Sequence, residues 1–293
     1  MIDSREPSDK IGAIVSRLKN YELPEIRQTY DFRNAIQYAL GIGLGVPATD
    51  PEQLPFLYEG LGPLVLPSMA SVLATPGFWM QDPALCLPWQ NVLHLSEELE
   101  IHKALSAEGT LVGATRIEAL YDKGPNRGAV LVTRHDLTDL DGTPVATTRK
   151  CEYCRGLGGF GGAPGPSAVT APPPEHEPDL IADWRFPEQA AVLYRLSGDL
   201  NPLHIDPEIA RAAGFERPIL HGLCTLGALC WLVVRDLCEG DPTRLRFFAA
   251  HFTAPVFPGD RIRLSAWEGT GGYSFIASRN GQQVISGGRM RRA

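Results

Sequence analysis

The chain has 293 residues, 44% of them hydrophobic and 21% charged, with 27 Lys and Arg against 34 Asp and Glu for a net charge of −7. This is enough for one large domain or two ordinary ones around a buried core. The mild acidity excludes nucleic acid as the main partner, because that role needs a basic face; a small basic pocket for one anionic ligand remains compatible with it.

Acids and bases are mixed from the first residues through Ile26, without the basic-then-apolar layout of a secretory leader. The longest apolar run, 222–234, stops at Arg235, short of the roughly 18 residues a membrane span requires. The chain ends in Arg-Met-Arg-Arg-Ala, unlike a Ser-Lys-Leu address. A cytoplasmic location is expected. The cysteines are Cys86, Cys151, Cys154, Cys224, Cys230 and Cys238, and without a leader they are expected to be free thiols.

Taken in order, apolar helical stretches come first, at 34–44 and 66–75, and alternating segments follow at 91–105, 109–124 and 128–156. Asp141-Gly142 marks a hairpin, since both residues tolerate positive φ. Residues 161–179 are rich in Pro, Gly, Ala and Ser and lack periodicity, which is a linker signature. The chain thus divides into a first half, 1–160, the linker, and a second half, 180–293. In the second half helices are expected over 207–237. Alternating segments return at 244–255, 260–269, 273–281 and 282–292, with Asn280-Gly281 as the matching hairpin turn. Helix before antiparallel strands, twice over, is an α+β pattern rather than βαβ. The stretch 221–237 is apolar almost all round, and such a helix must be wrapped on most sides.

Chemistry concentrates at 194–227. Gly198 to Pro202 reads as a turn carrying an acid, Asp199, and an amide, Asn201; His204 follows just beyond it. Asp206-Pro207 is a helix start, and Gly214 a helix stop. His221 and Gly222 then open the apolar helix with unpaired N–H groups. An imidazole titrates near neutrality, a half-dry carboxyl can make the complementary transfer, and helix N–H groups can hold a developing enolate oxygen. These are the parts for adding water across a double bond beside a carbonyl, or removing it. Taken singly, Asp199 reads equally well as a turn cap and His204 as a packing residue.

Other motifs carry less. Gly156 to Gly161 fits G-x-G-x-x-G, but a dinucleotide site needs a helix directly after it, and Gly162-Ala163-Pro164 follows instead. Cys151 and Cys154 form C-x-x-C on a strand-like segment, with no second pair at zinc-ribbon spacing. His94, His102, His135 and His176 are scattered and are expected to be strand, linker or surface residues.

The string Tyr194, Ser197-Gly198-Asp199, Asn201-Pro202-Leu203-His204 and Pro218-Ile219-Leu220-His221-Gly222 resembles the signature of the hydratase 2, or MaoC-like (R)-specific enoyl-CoA hydratase, family. Residues 251–264 look like its downstream segment. Residues 38–44, 54–60 and 158–162 are similar to the first half of its two-domain eukaryotic members. The resemblance implies an α+β double hot dog fold, two halves each with a long helix wrapped by an antiparallel sheet, and a role in fatty acid metabolism. It implies an Asp199–His204 catalytic dyad, Asn201 positioning dyad or water, and the Gly222 N–H holding the thioester oxygen, with Tyr194, His221 and Glu59 in support. For Glu59, a structural ion pair between the halves is the plainer expectation.

The first half lacks a dyad motif of its own, so one active site per chain is expected, with the first half giving room to the acyl tail. The implied reaction is reversible hydration of a trans-2-enoyl-CoA to the (3R)-hydroxyacyl-CoA, with CoA as part of the substrate and neither metal nor redox cofactor. A homodimer is expected by analogy. The alternatives are dehydration of another β-hydroxyacyl thioester (carrier-bound, branched or a steroid side chain), a non-catalytic acyl-CoA-binding hot dog protein and, more weakly, a thioesterase.

Overall fold

The structure is a computed structural model that describes residues 7–166 and 171–293. Residues 167–170 of the expected linker, and the first six residues, lie outside the described part. One antiparallel ten-stranded sheet runs through the molecule in the order β1-β3-β4-β5-β2-β7-β10-β9-β8-β6. The first half supplies β1 (Ile26–Tyr30), β2 (Val92–Ile101), β3 (Gly109–Asp122), β4 (Gly128–Thr138) and β5 (Pro144–Arg155). The second supplies β6 (Leu180–Arg185), β7 (Leu245–Phe252), β8 (Arg261–Gly269), β9 (Gly272–Arg279) and β10 (Gln282–Arg292). The halves meet where β2 pairs with β7, from Ser96 opposite His251 to Glu100 opposite Phe247.

Both hairpin signals are realised. Gly142 takes φ +85° between β4 and β5, and Asn280 and Gly281 take +49° and +81° between β9 and β10. The expected order of helix before strands needs correction in each half. The short edge strands β1 and β6 precede the helices and pair with β3 and β8. An N-terminal helix, α1 (Pro7–Lys19), also comes before them; its Val15 and Leu18 pack with Met80, Leu85 and Leu131 in a small second core.

The long helix of the second half is α5 (Gly222–Leu237). Its residues from Cys224 to Val234 are all buried, including Trp231, against which Phe56 of the first half packs edge-on at 5.1 Å. Each buried Leu or Val among them contributes roughly 1.5–3 kcal/mol by leaving water, so α5 organises the main core.

The first half is built differently. Its α2 (Phe32–Gly41) is ten residues long, closed at its start by an Asp31–Asn34 capping box. Close approach of α2 to α5 depends on Gly227, where a Cβ would stand 2.7 Å from Ile42 and 2.8 Å from the Tyr38 hydroxyl. The segment packed on β2 and β5 is a five-residue 3-10 helix, Pro67–Ser71, not the long helix expected there. Pro63, Pro67, Pro76, Pro83 and Pro88 recur through this stretch. Each removes a donor and clashes with the preceding turn, so no long helix can propagate. Part of the first half's concave sheet face is therefore left uncovered.

Candidate active site

Local structure brings the 194–222 residues together. A 3-10 turn, Arg195–Ser197, ends at Gly198, whose φ of +118° suits only glycine and turns Asp199 inward. Asn201 caps the next turn, Pro202–His204: its Oδ1 accepts the Leu203 N–H at 3.0 Å, while its own N–H donates to Asp199 Oδ1 at 3.1 Å. Asp206 caps α4 (Pro207–Ala212) by accepting from the Glu208 and Ile209 N–H groups. Gly214, at φ +91°, then turns the chain back.

That return lets His204 Nδ1–H donate to the Ile219 carbonyl at 2.9 Å, and His221 Nε2–H donate to the Asp199 carbonyl at 3.1 Å. A carbonyl oxygen only accepts, so these bonds set both tautomers. The free nitrogen of His204 is Nε2. The two imidazoles stack at 3.7 Å with 29° between planes. One donor atom each from Asp199, His204 and His221 lies within 4.8 Å of the others.

Burial pushes the Asp199 carboxyl up, but the charges of His221 and His204, with the Asn201 N–H, outweigh it and hold the group below the usual carboxylate range. Burial holds His204 below its ordinary value. Burial and the neighbouring His204 charge bring His221 down to about 3. The arrangement at neutral pH is one carboxylate beside two neutral imidazoles.

Asp199, Asn201, His204 and Gly222 line a cavity of about 500 Å³ between the halves. Gly222 is the first residue of α5, and its N–H makes no hydrogen bond among the described residues. A Cβ there would press on the Phe252 ring at 3.3 Å. His221 sits behind His204 and is buried; Tyr194, also buried, packs on His221 at 5.0 Å and does not reach the cavity. Glu59 stands apart from the group. It is exposed at the start of a short 3-10 helix, lines no part of the cavity, and makes none of the ion pairs found among the described residues, so the expected salt bridge between halves is absent.

Asp199, His204 and His221 are also the residue types that hold a divalent ion.

The first half was expected to give room to the acyl tail, but which of its residues line the cavity was not anticipated. His94 and His135, expected to be ordinary strand or surface histidines, are on strands but line the cavity, together with Thr133, Thr148, Lys150 and Glu152. The signal was present in β5, where Thr148, Lys150 and Glu152 share one face by the two-residue period of a strand. The glycine-rich segment has a structural use instead of a nucleotide-binding one. The backbone N–H groups of Gly124, Gly159, Gly161 and Gly162 all donate to the Asp122 carboxylate, which those bonds hold below its ordinary pKa. Cys151 and Cys154 are free thiols, as are the other four cysteines.

The family description of the MaoC like domain matches residues 169–283, and that of the MFE-2 hydratase 2 N-terminal domain matches residues 28–156. A relative named enoyl-CoA hydratase ChsH3, from Mycobacterium tuberculosis, is 37% identical over 275 residues, covering 91% of this chain and 94% of its own. This chain belongs to the MaoC-like hydratase 2 family. A peroxisomal enoyl-CoA hydratase 2 of Arabidopsis thaliana is 36% identical, covering 84% of each chain. The crystal structure of a MaoC-like dehydratase from Phytophthora capsici superimposes with a TM-score of 0.80 at 30% identity, covering 95% of this chain and 97% of its own. A Mycobacterium tuberculosis protein described as a double hot dog fold, 17% identical with a TM-score of 0.56, shares the fold. As a MaoC-like hydratase 2 member the chain is an enzyme of the hydro-lyase class with the α+β double hot dog fold. Among the described residues no helix is long and apolar enough to cross a membrane.

Proposed function

We propose that the enzyme reversibly hydrates a trans-2-enoyl-CoA to the (3R)-3-hydroxyacyl-CoA. The observation that carries this reading is the convergence of Asp199, His204 and the unbonded Gly222 N–H on one cavity between the halves. The thioester carbonyl accepts a hydrogen bond from Gly222 N–H at the positive end of α5, which polarises the conjugated double bond. The Asp199 carboxylate and His204 Nε2 hold one water. As the water oxygen attacks C3, His204 Nε2 takes one of its protons, and the enolate builds up against Gly222. The imidazolium then returns that proton to C2, and the second proton stays on the new hydroxyl. Both bonds form from one face, so addition is syn.

In this scheme Asp199 stays ionised. It orients the water and stabilises the transient imidazolium, in keeping with its lowered pKa and the neutral resting state of His204. Run backwards, the same steps dehydrate the hydroxyacyl thioester. A relative named 3-hydroxyacyl-thioester dehydratase Y, 38% identical over 240 residues, is named for that direction. Hydration is redox-neutral, CoA enters as part of the substrate, and no metal or redox cofactor has a step in the scheme. A homodimer and a cytoplasmic location belong to the same proposal, checked by sedimentation and by microscopy of the tagged chain.

The test is to make Asp199→Asn and His204→Gln and to follow loss of the conjugated-thioester absorbance of crotonyl-CoA. Each general acid–base contribution is worth roughly 10²–10⁴-fold, and kcat should fall by about that much in either variant. Wild-type rates in both variants, with folding confirmed by circular dichroism, would overturn the dyad.

A further inference from the structure

Water addition uses Asp199, His204 and Gly222, all from the second half. Nothing in it calls for charge on β2 and β5, yet Lys150, Glu152 and His94 line the same cavity, with Thr133, His135 and Thr148 around them. These groups are poorly satisfied by the protein itself. Lys150 makes none of the hydrogen bonds or ion pairs found among the described residues. Glu152 Oε2 is buried without a hydrogen-bond partner. Directly across from Lys150 in the β2–β5 pairing stands Glu97. It is fully buried, neither carboxylate oxygen has a hydrogen bond, and His94 Nε2 lies 3.3 Å from Oε2. His94 Nε2 also meets the Ser96 carbonyl at 3.0 Å, so it carries a hydrogen and leaves Nδ1 free.

An ammonium and a carboxyl facing the cavity, with a second carboxyl fully buried opposite Lys150, are costly without full hydrogen bonding. A hydrocarbon tail pressed against them would strip their water and return nothing. A polar group on the tail can replace that water. The charges on the wall indicate which kind of group. Lys150 feels three carboxyls, those of Glu97, Glu152 and Asp199, so a carboxylate tail would meet repulsion, whereas a neutral oxygen can accept from Lys150 and, as a hydroxyl, donate to Glu152. Burial raises the Glu152 carboxyl above its ordinary value.

We propose that Lys150 and Glu152 form a polar subsite for a neutral oxygen substituent, hydroxyl or keto, on the acyl chain, so that the enzyme favours oxygenated acyl-CoA substrates over plain hydrocarbon ones. This rests on the hydration reading above and adds the substrate class to it. Lys150 is the donor to either substituent; Glu152 is the acceptor that only a hydroxyl engages.

The experiment compares kcat/KM for trans-2-enoyl-CoA esters of equal chain length, either plain or carrying a hydroxyl or keto group walked along the tail. The wild type, Lys150→Met and Glu152→Gln are measured alike. In the wild type, at least one oxygenated position should exceed the plain chain by about tenfold or more, the scale of one well-placed hydrogen bond in a buried site. Lys150→Met should bring the ratio toward one for both substituents. Glu152→Gln should reduce the hydroxyl preference more than the keto preference. Because the readout is a ratio within each variant, a general loss of activity does not move it, and the wild-type ratio stands even where a variant fails to fold. Equal wild-type kcat/KM for plain and oxygenated chains overturns the subsite while leaving hydration intact, as does a preference that survives both substitutions. Failure of the wild type to hydrate any enoyl-CoA overturns the hydration reading, and the subsite falls with it.

Discussion

The two halves share one sheet but fill its grip differently. In the second, β7 to β10 close on α5, whose buried face includes Leu226, Leu229, Trp231 and Val233. In the first, β2 and β5 meet the short Pro67–Ser71 turn in place of a long helix, and the freed space becomes a cavity walled by Thr148, Lys150 and Glu152. A wrapped apolar helix gives stability and a rigid N-terminus to aim; its absence next door gives room for a ligand. The halves divide the labour of one site, the reacting groups coming from the half with the helix and the substrate space from the half without it.

Several measurements can break or sharpen this division. The largest expected effect is on turnover. Asp199→Asn and His204→Gln should each lose roughly 10²–10⁴-fold, while Glu59→Gln, at an exposed residue of the first half, should leave crotonyl-CoA hydration unchanged. An equal loss from Glu59→Gln would put chemistry in the wrong half.

Stability should divide the same way. Trp231→Ala hollows the core around α5 and should cost about 3–5 kcal/mol in urea denaturation. Val72→Ala, on the cavity wall of the first half, should cost only about 1 kcal/mol, because its side chain already faces open space. Similar costs for the two would mean that the cavity is closed in solution.

Gly227→Ala probes the seam between α2 and α5. Its Cβ would meet Ile42 and the Tyr38 hydroxyl at less than contact distance, so overpacking should cost about 1–3 kcal/mol. A neutral or stabilising result in the same denaturation experiment would show that the two helices are free to separate.

A further effect is a pH slope. In the unfolded chain His204 and His221 take up protons as pH falls through about 6.5, whereas in the folded protein burial keeps both below that value, His221 down to about 3. Over that window the unfolded state binds more protons, so stability must fall as pH drops, by up to about 1.4 kcal/mol per pH unit for each histidine. Asp199, held below the ordinary carboxylate range, acts in the same direction at the acid end of the window. His221→Phe should flatten the slope in urea titrations between pH 7 and pH 4; an unchanged slope would place its proton elsewhere.

Much of the second half was legible because its signals are local. Asp206 before Pro207, Gly198 and Gly214 at positive φ, and the Asn280-Gly281 turn each act within a few residues, and the structure has them in place. The edge strands β1 and β6 escaped notice for a related reason. β1 is five residues long and β6 six, and β6 follows directly on the Pro-rich linker; their place comes from pairing with β3 and β8 across a long stretch of chain. The missing first-half helix could have been read from five prolines in 63–88, since proline acts locally. That the vacated face would carry charge into the active-site cavity could not.

The sequence by itself determined the turns, the caps, the hairpins, the all-round apolar character of α5 and the order of acid, amide and imidazole over 199–204, because each depends on neighbours close along the chain. Only the tertiary structure decided that His221 stacks behind His204, that Glu59 stays in solvent, and that Lys150 and Glu152 face the same cavity as Asp199. Those placements depend on joining β2 to β7 and on the close packing of α2 against α5, contacts between residues more than a hundred positions apart. Their burial and field strengths exist only once the two halves have closed into one sheet.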